Sequence, residues 1–380
     1  MMSHRSKQEL LETVRPRYQR AKKVEKQHIL DEFVAATLYH RKYAIRVLNQ
    51  AVRRKHPKKR GRLKIYQGEV VVVLEQIWAI CGQICSKRLH PFLPEIVKVL
   101  ERTGELQISA DTKMLLLQMS RPTIDRCLGP ARHQPHPHGL STTKPGTLLK
   151  KAIPVRIYTP WDEEKPGFLE IDLVSHCGDT AEGHYVSTLT CTDISTGWTE
   201  CLSVFPHNKH TVFEAIQIVR TRLPFPLLGL DSDNGSEFIN DLLFKYCQYQ
   251  KITFTRSRPY KKNDQAHVEQ KNWSVVRRLI GYDRLDTQAQ CSLLQSIYQD
   301  LRLYSNFFQP VLKLLSKERI DKKTIKRYDT AATPYQRVLA STDIPLPAKA
   351  RLTNLYVQLN PVTLRTTIDQ KVDQLWKISR

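Results

Sequence analysis

The chain lacks what a membrane-spanning or secreted protein would need. Its longest apolar stretch, Val70 to Cys85, is interrupted by Glu75 and Gln76, whereas a membrane span takes about 20 consecutive apolar residues. The opening residues, MMSHRSKQEL, hold no apolar run of the kind a secretory signal requires. Cysteines are few and dispersed, at positions 81, 85, 127, 177, 191, 201, 247 and 291. Only Cys81 and Cys85 are neighbours, and they lack the second pair a zinc site needs. The thiols are therefore expected to be reduced and mostly buried, in a cytoplasm. Acidic residues are in deficit: 60 Lys+Arg stand against 37 Asp+Glu in 380 residues, a net charge of +23. At 41% hydrophobic residues the chain can build ordinary cores, which excludes a disordered polyelectrolyte. Its length implies two or three domains. A cored protein with this surplus of positive charge implies a polyanionic partner, most simply nucleic acid. A ribosome-bound or membrane-surface protein would share that charge.

The charge is uneven. Residues 1–64 hold 19 Lys+Arg and 5 Asp+Glu, a net of +14. The densest run is 53–62, where Arg53, Arg54, Lys58 and Lys59 form a phosphate-binding arm that Pro57 and Gly61 keep from being helical. Upstream, Ile29, Leu30, Phe33 and Val34 repeat at helical spacing, as do Ala44, Val47 and Leu48 beyond the three-residue turn Thr37-Leu38-Tyr39. Two short helices around such a turn suggest a helix-turn-helix with Arg41, Lys42 and Arg46 on its outer face, although Leu38 stands where a glycine is usual. Residues 65–130 read as a second helical module, in which 111–118 and 123–128 suggest another helix-turn-helix. The proline-rich stretch 131–160 reads as a linker.

Beyond the linker the pattern becomes strand and helix. Strands are expected at 168–174, 184–192, 198–205, 226–231 and 252–255, and helices at 209–222, 237–249 and 263–280. Three leading strands followed by alternation give a mixed α/β sheet over 161–310. Three carboxylates fall where that sheet would converge. Asp172 lies in the first strand, Asp233 follows the fourth, and Glu269 lies on the long helix with 35 residues between it and Asp233. Glu170 and Asp231 share strand faces with the first two and compete for the assignment. Glu237 reads as a helix cap. Converging carboxylates suit two Mg²⁺ ions, which take oxygen ligands and can flank an in-line phosphoryl displacement.

Asp172, Asp233-Asn234-Gly235 and Glu269, with their order and spacing, resemble the D,D(35)E signature of retroviral-type integrases and insertion-sequence transposases. The likeness covers about residues 165–285. The segment from Thr142 to Lys150 and the Phe168 strand look like bacterial integrase-core transposases with helix-turn-helix N-termini. The resemblance implies an RNase H-like core, a mixed five-stranded sheet with flanking helices, preceded by all-α DNA-binding modules. It implies Asp172, Asp233 and Glu269 as catalytic ligands of two Mg²⁺, with Mn²⁺ able to substitute. It also implies DNA contacts at Tyr260 and Gln265; Asn234 and the basic Lys271 and Arg277, which do not stand at the family's usual lysine positions, are further expected DNA contacts, Arg277 sharing a helix face with Glu269. The zinc-binding His/His/Cys/Cys set of retroviral integrases is missing from the N-terminal region.

Residues 311–380 form a basic C-terminal region. Residues 313–327 carry 7 Lys+Arg, a second patch expected along DNA. Leu364, Ile368, Val372 and Leu375, preceded by Asn360 as a cap, predict a terminal helix that packs on its own core or on a partner. The whole reads as a cytoplasmic transposase or integrase acting on double-stranded DNA as a homodimer or larger assembly, with no membrane association. Two rivals are a nuclease of the same fold that cuts without joining and a non-catalytic DNA-binding regulator descended from a transposase.

Overall fold

The computed structural model describes residues 2–50, 65–132, 165–257, 265–320 and 323–379. The chain forms two compact units, Met1–Ile65 and Tyr66–Arg380. Arg53, Arg54, Lys58, Lys59 and Tyr260, together with most of the expected linker, lie outside the described residues.

The first unit is three helices: α1 (His4–Arg20), α2 (Lys23–Thr37) and α3 (Arg41–Asn49). The sequence pattern gives no expectation of α1, whose Leu10, Leu11 and Val14 pack against the cluster formed by Tyr18, Ile29, Leu30, Phe33, Ala44, Val47 and Leu48. Between α2 and α3 the chain turns at Leu38, which adopts the left-handed conformation (φ 58°, ψ 27°) with its side chain 67% exposed. A leucine thus takes the backbone position that favours glycine, at a cost of about 1–2 kcal/mol. Its amide still closes the last turn of α2 by donating to the Val34 carbonyl.

The second unit opens with α4 (Glu69–Ile80), α5 (Ser86–Arg102), α6 (Ala110–Leu117) and α7 (Arg121–Leu128). Then come β1 (Phe168–Ser175), β2 (Ser187–Asp193), β3 (Thr199–Val204), α8 (Lys209–Arg222), β4 (Gly229–Ser232), α9 (Asp241–Tyr249) and β5 (Thr253–Arg256). The five strands make one sheet in the order β3-β2-β1-β4-β5. β1, β2 and β3 are antiparallel neighbours, whereas β4 and β5 run parallel to β1. This is an RNase H-like sheet. The hairpin between β2 and β3 closes on Asp193, whose carboxylate accepts from the Thr196 amide at 2.7 Å, and Gly197 supplies the positive φ of 72°.

One face of the sheet, with Leu169, Ile171, Leu189, Leu202, Leu230 and Phe254, is covered by α8 and α9. The opposite face meets α12 (Gln288–Phe308), which presents Leu294, Ile297 and Leu301. Behind α12 lie α13 (Pro334–Ala340), α14 (Leu346–Gln358) and α15 (Pro361–Ile378). Asn360 caps α15 by accepting from the amides of Val362 and Thr363, and the helix buries Leu364, Ile368, Val372 and Leu375. Helices α4–α7 share this same buried cluster instead of closing one of their own. The basic stretch after α12 is a two-stranded hairpin of β6 (Leu314–Ile320) and β7 (Lys323–Tyr328). No helix among the described residues is long and apolar enough to cross a membrane.

The strained turn of the first unit gives a stability prediction. Leu38→Gly relieves the left-handed penalty but makes the unfolded chain more flexible, so a net gain of about 0.5 kcal/mol is expected. Thermal unfolding of the variant checks it, and a lower midpoint would show that Leu38 makes a stabilising contact.

Candidate active site

Strand alternation puts Glu170, Asp172 and Val174 on one face of β1 and Leu169 and Ile171 on the other. The apolar pair is fully buried under α8 and α9. Parallel pairing of β1 with β4 aligns Glu170 with Asp231 and Ile171 with Ser232. The next step along that register brings Asp172 beside Asp233, where β4 ends while β1 continues to Ser175 against β2. Asp172 is half-buried. Desolvation, the charge of Asp233 and, to a lesser degree, the charge of Glu269 push its carboxyl up to about 7. Asp233 is likewise pushed up to about 6, first by desolvation and then by Glu237, although the Gly235 amide donates to its Oδ1 at 2.9 Å and opposes the shift. Asp172 thus stands within electrostatic reach of both Asp233 and Glu269.

Glu269 is carried by α10 (Ala266–Lys271), and a buried carboxylate holds the start of that helix. Glu170, 1% exposed, accepts from the backbone amides of His267 at 2.8 Å and Val268 at 3.0 Å through one oxygen. A negative charge here satisfies two first-turn N–H groups and complements the helix dipole. Glu170 therefore links the strand of Asp172 to the helix of Glu269. It belongs to a polar row that crosses all five strands: Thr199, Thr192, Glu170, Asp231 and Thr255 are register neighbours and all are buried. Thr255 donates to Asp231 at 2.5 Å.

The helix expected to run unbroken over 263–280 does not. After α10 the turns widen into a π-type segment, Asn272–Arg277, before the short α11 (Arg278–Ile280). Wide turns of this kind concentrate at functional sites. Asn272, at the start of the segment, donates from Nδ2 to Asp172 Oδ2 at 2.6 Å. It lies three residues after Glu269, on the same helical face, and that spacing is the signal by which sequence reasoning could have found it.

The wide turns also redirect the basic side chains. Arg277 does not follow the face of Glu269; it donates to the Ser175 carbonyl at 2.7 Å and stacks over Tyr282 at 4.7 Å. Lys271 is buried at 6% exposure, and desolvation pulls its amine down to about 8. Gln265 is also buried and donates to the Asp231 carbonyl at 3.2 Å. All three, expected on the DNA side, have side chains turned into the protein. Asn234 donates to the Ser257 carbonyl and accepts from Arg256, both at 2.9 Å, which locks the turn after Asp233. Glu237 is not a helix cap: Asn240 caps α9 by accepting from the Leu243 amide. Glu237 instead pairs with His207 at 3.2 Å beside Asp233. In the first unit, Arg41, Lys42 and Arg46 are exposed on α3; Arg41 pairs with Asp31, and Arg46 lies 4.9 Å from the Tyr43 ring centre.

Among the described residues no group of three or more His, Cys, Asp or Glu side chains is drawn together closely enough to hold a metal ion. The donor chemistry nevertheless fits a hard cation. Desolvation and, after it, neighbouring carboxylates raise the proton affinities of Asp172 and Asp233, and a bound cation would offset the repulsion.

The site is thus a carboxylate cluster where β4 ends beside the middle of β1 in the five-stranded mixed sheet. No family model matches the chain. It is 40% identical over 336 residues to the uncharacterized protein y4rM of Sinorhizobium fredii, covering 88% of this chain and 96% of that one, and it belongs to the same family. Two solved structures are similar to it. The catalytic core domain of BIV integrase is 20% identical, covers 46% of this chain and 94% of its own, and gives a TM-score of 0.31. The HTLV-2 integrase catalytic core domain in complex with magnesium is 14% identical, covers 38% and 90%, and gives 0.29.

The raised carboxyls and the buried anchor each have a measurable consequence. Asp172 binds a proton more tightly folded than unfolded, its carboxyl rising from 3.8 to about 7, and Asp233 does so up to about 6. Folding stability that is full below pH 4 is therefore lost as pH rises towards 7 in metal-free buffer. Melting curves should show the loss, and Asp172→Asn should flatten it; an equally steep profile in the variant would remove Asp172 as its source. Glu170→Ala orphans two helix amides and should cost about 2–4 kcal/mol in denaturant unfolding. Glu170→Gln, which keeps an accepting oxygen, should cost clearly less.

Proposed function

We propose that the protein is a DNA transposase or integrase, a polynucleotidyl transferase that cuts at the 3′ ends of a mobile element and joins them to target DNA. The observation that carries this reading is the register of β1 and β4, which sets Asp172 against Asp233 with Glu269 in electrostatic reach. In this reading those three side chains would hold Mg²⁺ or Mn²⁺, which when bound would neutralise charge on the attacked phosphodiester and activate the attacking oxygen.

The chain's own residues supply the positioning. Asn272 and the Leu173 amide fix the two oxygens of Asp172, at 2.6 and 2.8 Å. The Gly235 amide orients Asp233, and Glu170 seats the helix of Glu269. In cleavage, water attacks the phosphorus and the element's 3′ oxygen leaves. In joining, that 3′ oxygen attacks a target phosphodiester; one P–O bond forms, one breaks, and no covalent enzyme intermediate arises. Arg41, Lys42 and Arg46 on α3, with the arm of Arg53, Arg54, Lys58 and Lys59, bind the element ends. Joining two ends calls for a homodimer or larger assembly, working in the bacterial cytoplasm at the nucleoid.

The test is joining of a pre-cut duplex that carries the terminal repeats flanking the gene, with Mg²⁺ or Mn²⁺ supplied. Asp233→Asn should reduce joining at least about 100-fold. Undiminished joining by that variant would remove the cluster from the chemistry. The arm has its own readout. Neutralising Arg53, Arg54, Lys58 and Lys59 together should lower the slope of log affinity against log salt by roughly 3–4, at about 0.9 for each phosphate no longer neutralised.

A further inference from the structure

The β6–β7 hairpin is a built feature with no core beneath it. Its base is tied down on both sides. Val311 and Ala332 form an isolated bridge, the Lys313 amide donates to Asp329 Oδ1 at 2.8 Å, and Arg337 joins Asp329 at 2.7 Å and the Val311 carbonyl at 3.0 Å. Beyond that base the described residues are nearly all exposed, Leu315 at 69%, Ile325 at 42% and Tyr328 at 46% included. A two-stranded ribbon with both faces in water is marginal by itself.

Its register adds a second cost. Lys317 lies directly opposite Lys326, and Arg319 opposite Thr324. Strand alternation puts these four on one face, while Glu318, opposite Ile325, and Arg327, opposite Ser316, lie on the other. Like charges paired across strands destabilise a hairpin. None of Lys317, Arg319 and Lys326 forms an ion pair with a described residue; the nearby pairs belong to other side chains. An anchored ribbon that gathers on one face three cations without an ion-pair partner among the described residues is arranged for an external polyanion.

We propose that the Lys317–Arg319–Lys326 face of this hairpin binds duplex DNA, entering a groove or lying along it with the three cations on phosphates. A two-stranded ribbon matches the major groove, about 12 Å wide. This assignment rests on the DNA reading above and specifies which element and which face make the contact. The hairpin is separate from the carboxylate cluster in sequence and contributes no group to it, so its role is positional: it fixes the path of the duplex through phosphates and carries no base recognition.

The test uses the full chain and a random-sequence duplex several helical turns long. Lys317→Ala, Arg319→Ala and Lys326→Ala combined should weaken binding at least tenfold and lower the salt slope by roughly 2.7, at about 0.9 per phosphate. Its melting temperature should not fall, because the substitution removes a repulsive pair. Arg327→Ala, on the opposite face, should leave the slope near that of the wild type, and Lys317→Arg with Lys326→Arg should retain binding. A wild-type slope in the triple variant overturns the proposal while leaving the DNA reading intact. An equal loss from Arg327→Ala overturns the choice of face. Altered self-association in sedimentation with DNA binding unchanged assigns the face to a second copy of the chain and overturns the proposal. Failure of the wild-type chain to bind the duplex at low salt overturns the DNA reading itself, and the hairpin proposal with it.

Discussion

Parallel pairing between β1 and β4 sets two carboxylates side by side where water is scarce, and the surroundings of the site answer that repulsion. Asp172 and Asp233 are neighbours because Ile171 and Ser232 are paired one step earlier. The opposite sheet face is fixed by apolar packing under α8 and α9. Desolvation raises both proton affinities, with the charge of Asp233 adding to the shift of Asp172 and that of Glu237 to the shift of Asp233. Two backbone amides and Asn272 reduce the cost without removing it. Such a cluster is unfavourable for folding alone and becomes intelligible as a seat for positive charge.

The buried polar row beneath the cluster explains how the third carboxylate is brought near. Helix α10 is short and leads into wide turns, so intrahelical hydrogen bonding alone cannot fix its position. Glu170 supplies the missing anchor, a buried acceptor under the first turn. Lys271 and Gln265 hold the same helix from its own side by turning inward. Residues that look like DNA contacts by position in the sequence are thus spent on setting the geometry of the helix. The α3 helix and the β6–β7 ribbon, by contrast, carry exposed positive charge.

Much of the sheet was legible because its signals are local. Alternating apolar residues mark β1, the bounds of α8 coincide with the expected 209–222, and Asn360 before a 3.6-residue apolar repeat marks α15. The spacing of Asp172, Asp233 and Glu269 was legible as well. What escaped depends on contacts between distant residues. Glu170 reads as a rival to Asp172 until the amides of His267 and Val268 are seen above it. The widening at Asn272–Arg277 follows no proline or glycine; it accompanies the turn of Asn272 towards Asp172 and of Arg277 towards Ser175. The β6–β7 hairpin lacks the apolar alternation that marks a half-buried strand, because neither of its faces is buried. Helix α5 contains Pro91 and Pro94, residues that locally argue against a helix, and is held by the large buried cluster.

The most direct measurement of the central claim is calorimetric titration of Mn²⁺ into the full chain at pH 7, in buffers of differing ionisation enthalpy. The carboxyls of Asp172 and Asp233, raised to about 7 and about 6, must lose their protons when the cation binds. Saturable binding with proton release is expected, both abolished in Asp172→Asn and in Asp233→Asn. Binding that survives unchanged in both variants, or an absence of binding by the wild-type chain, would contradict that claim.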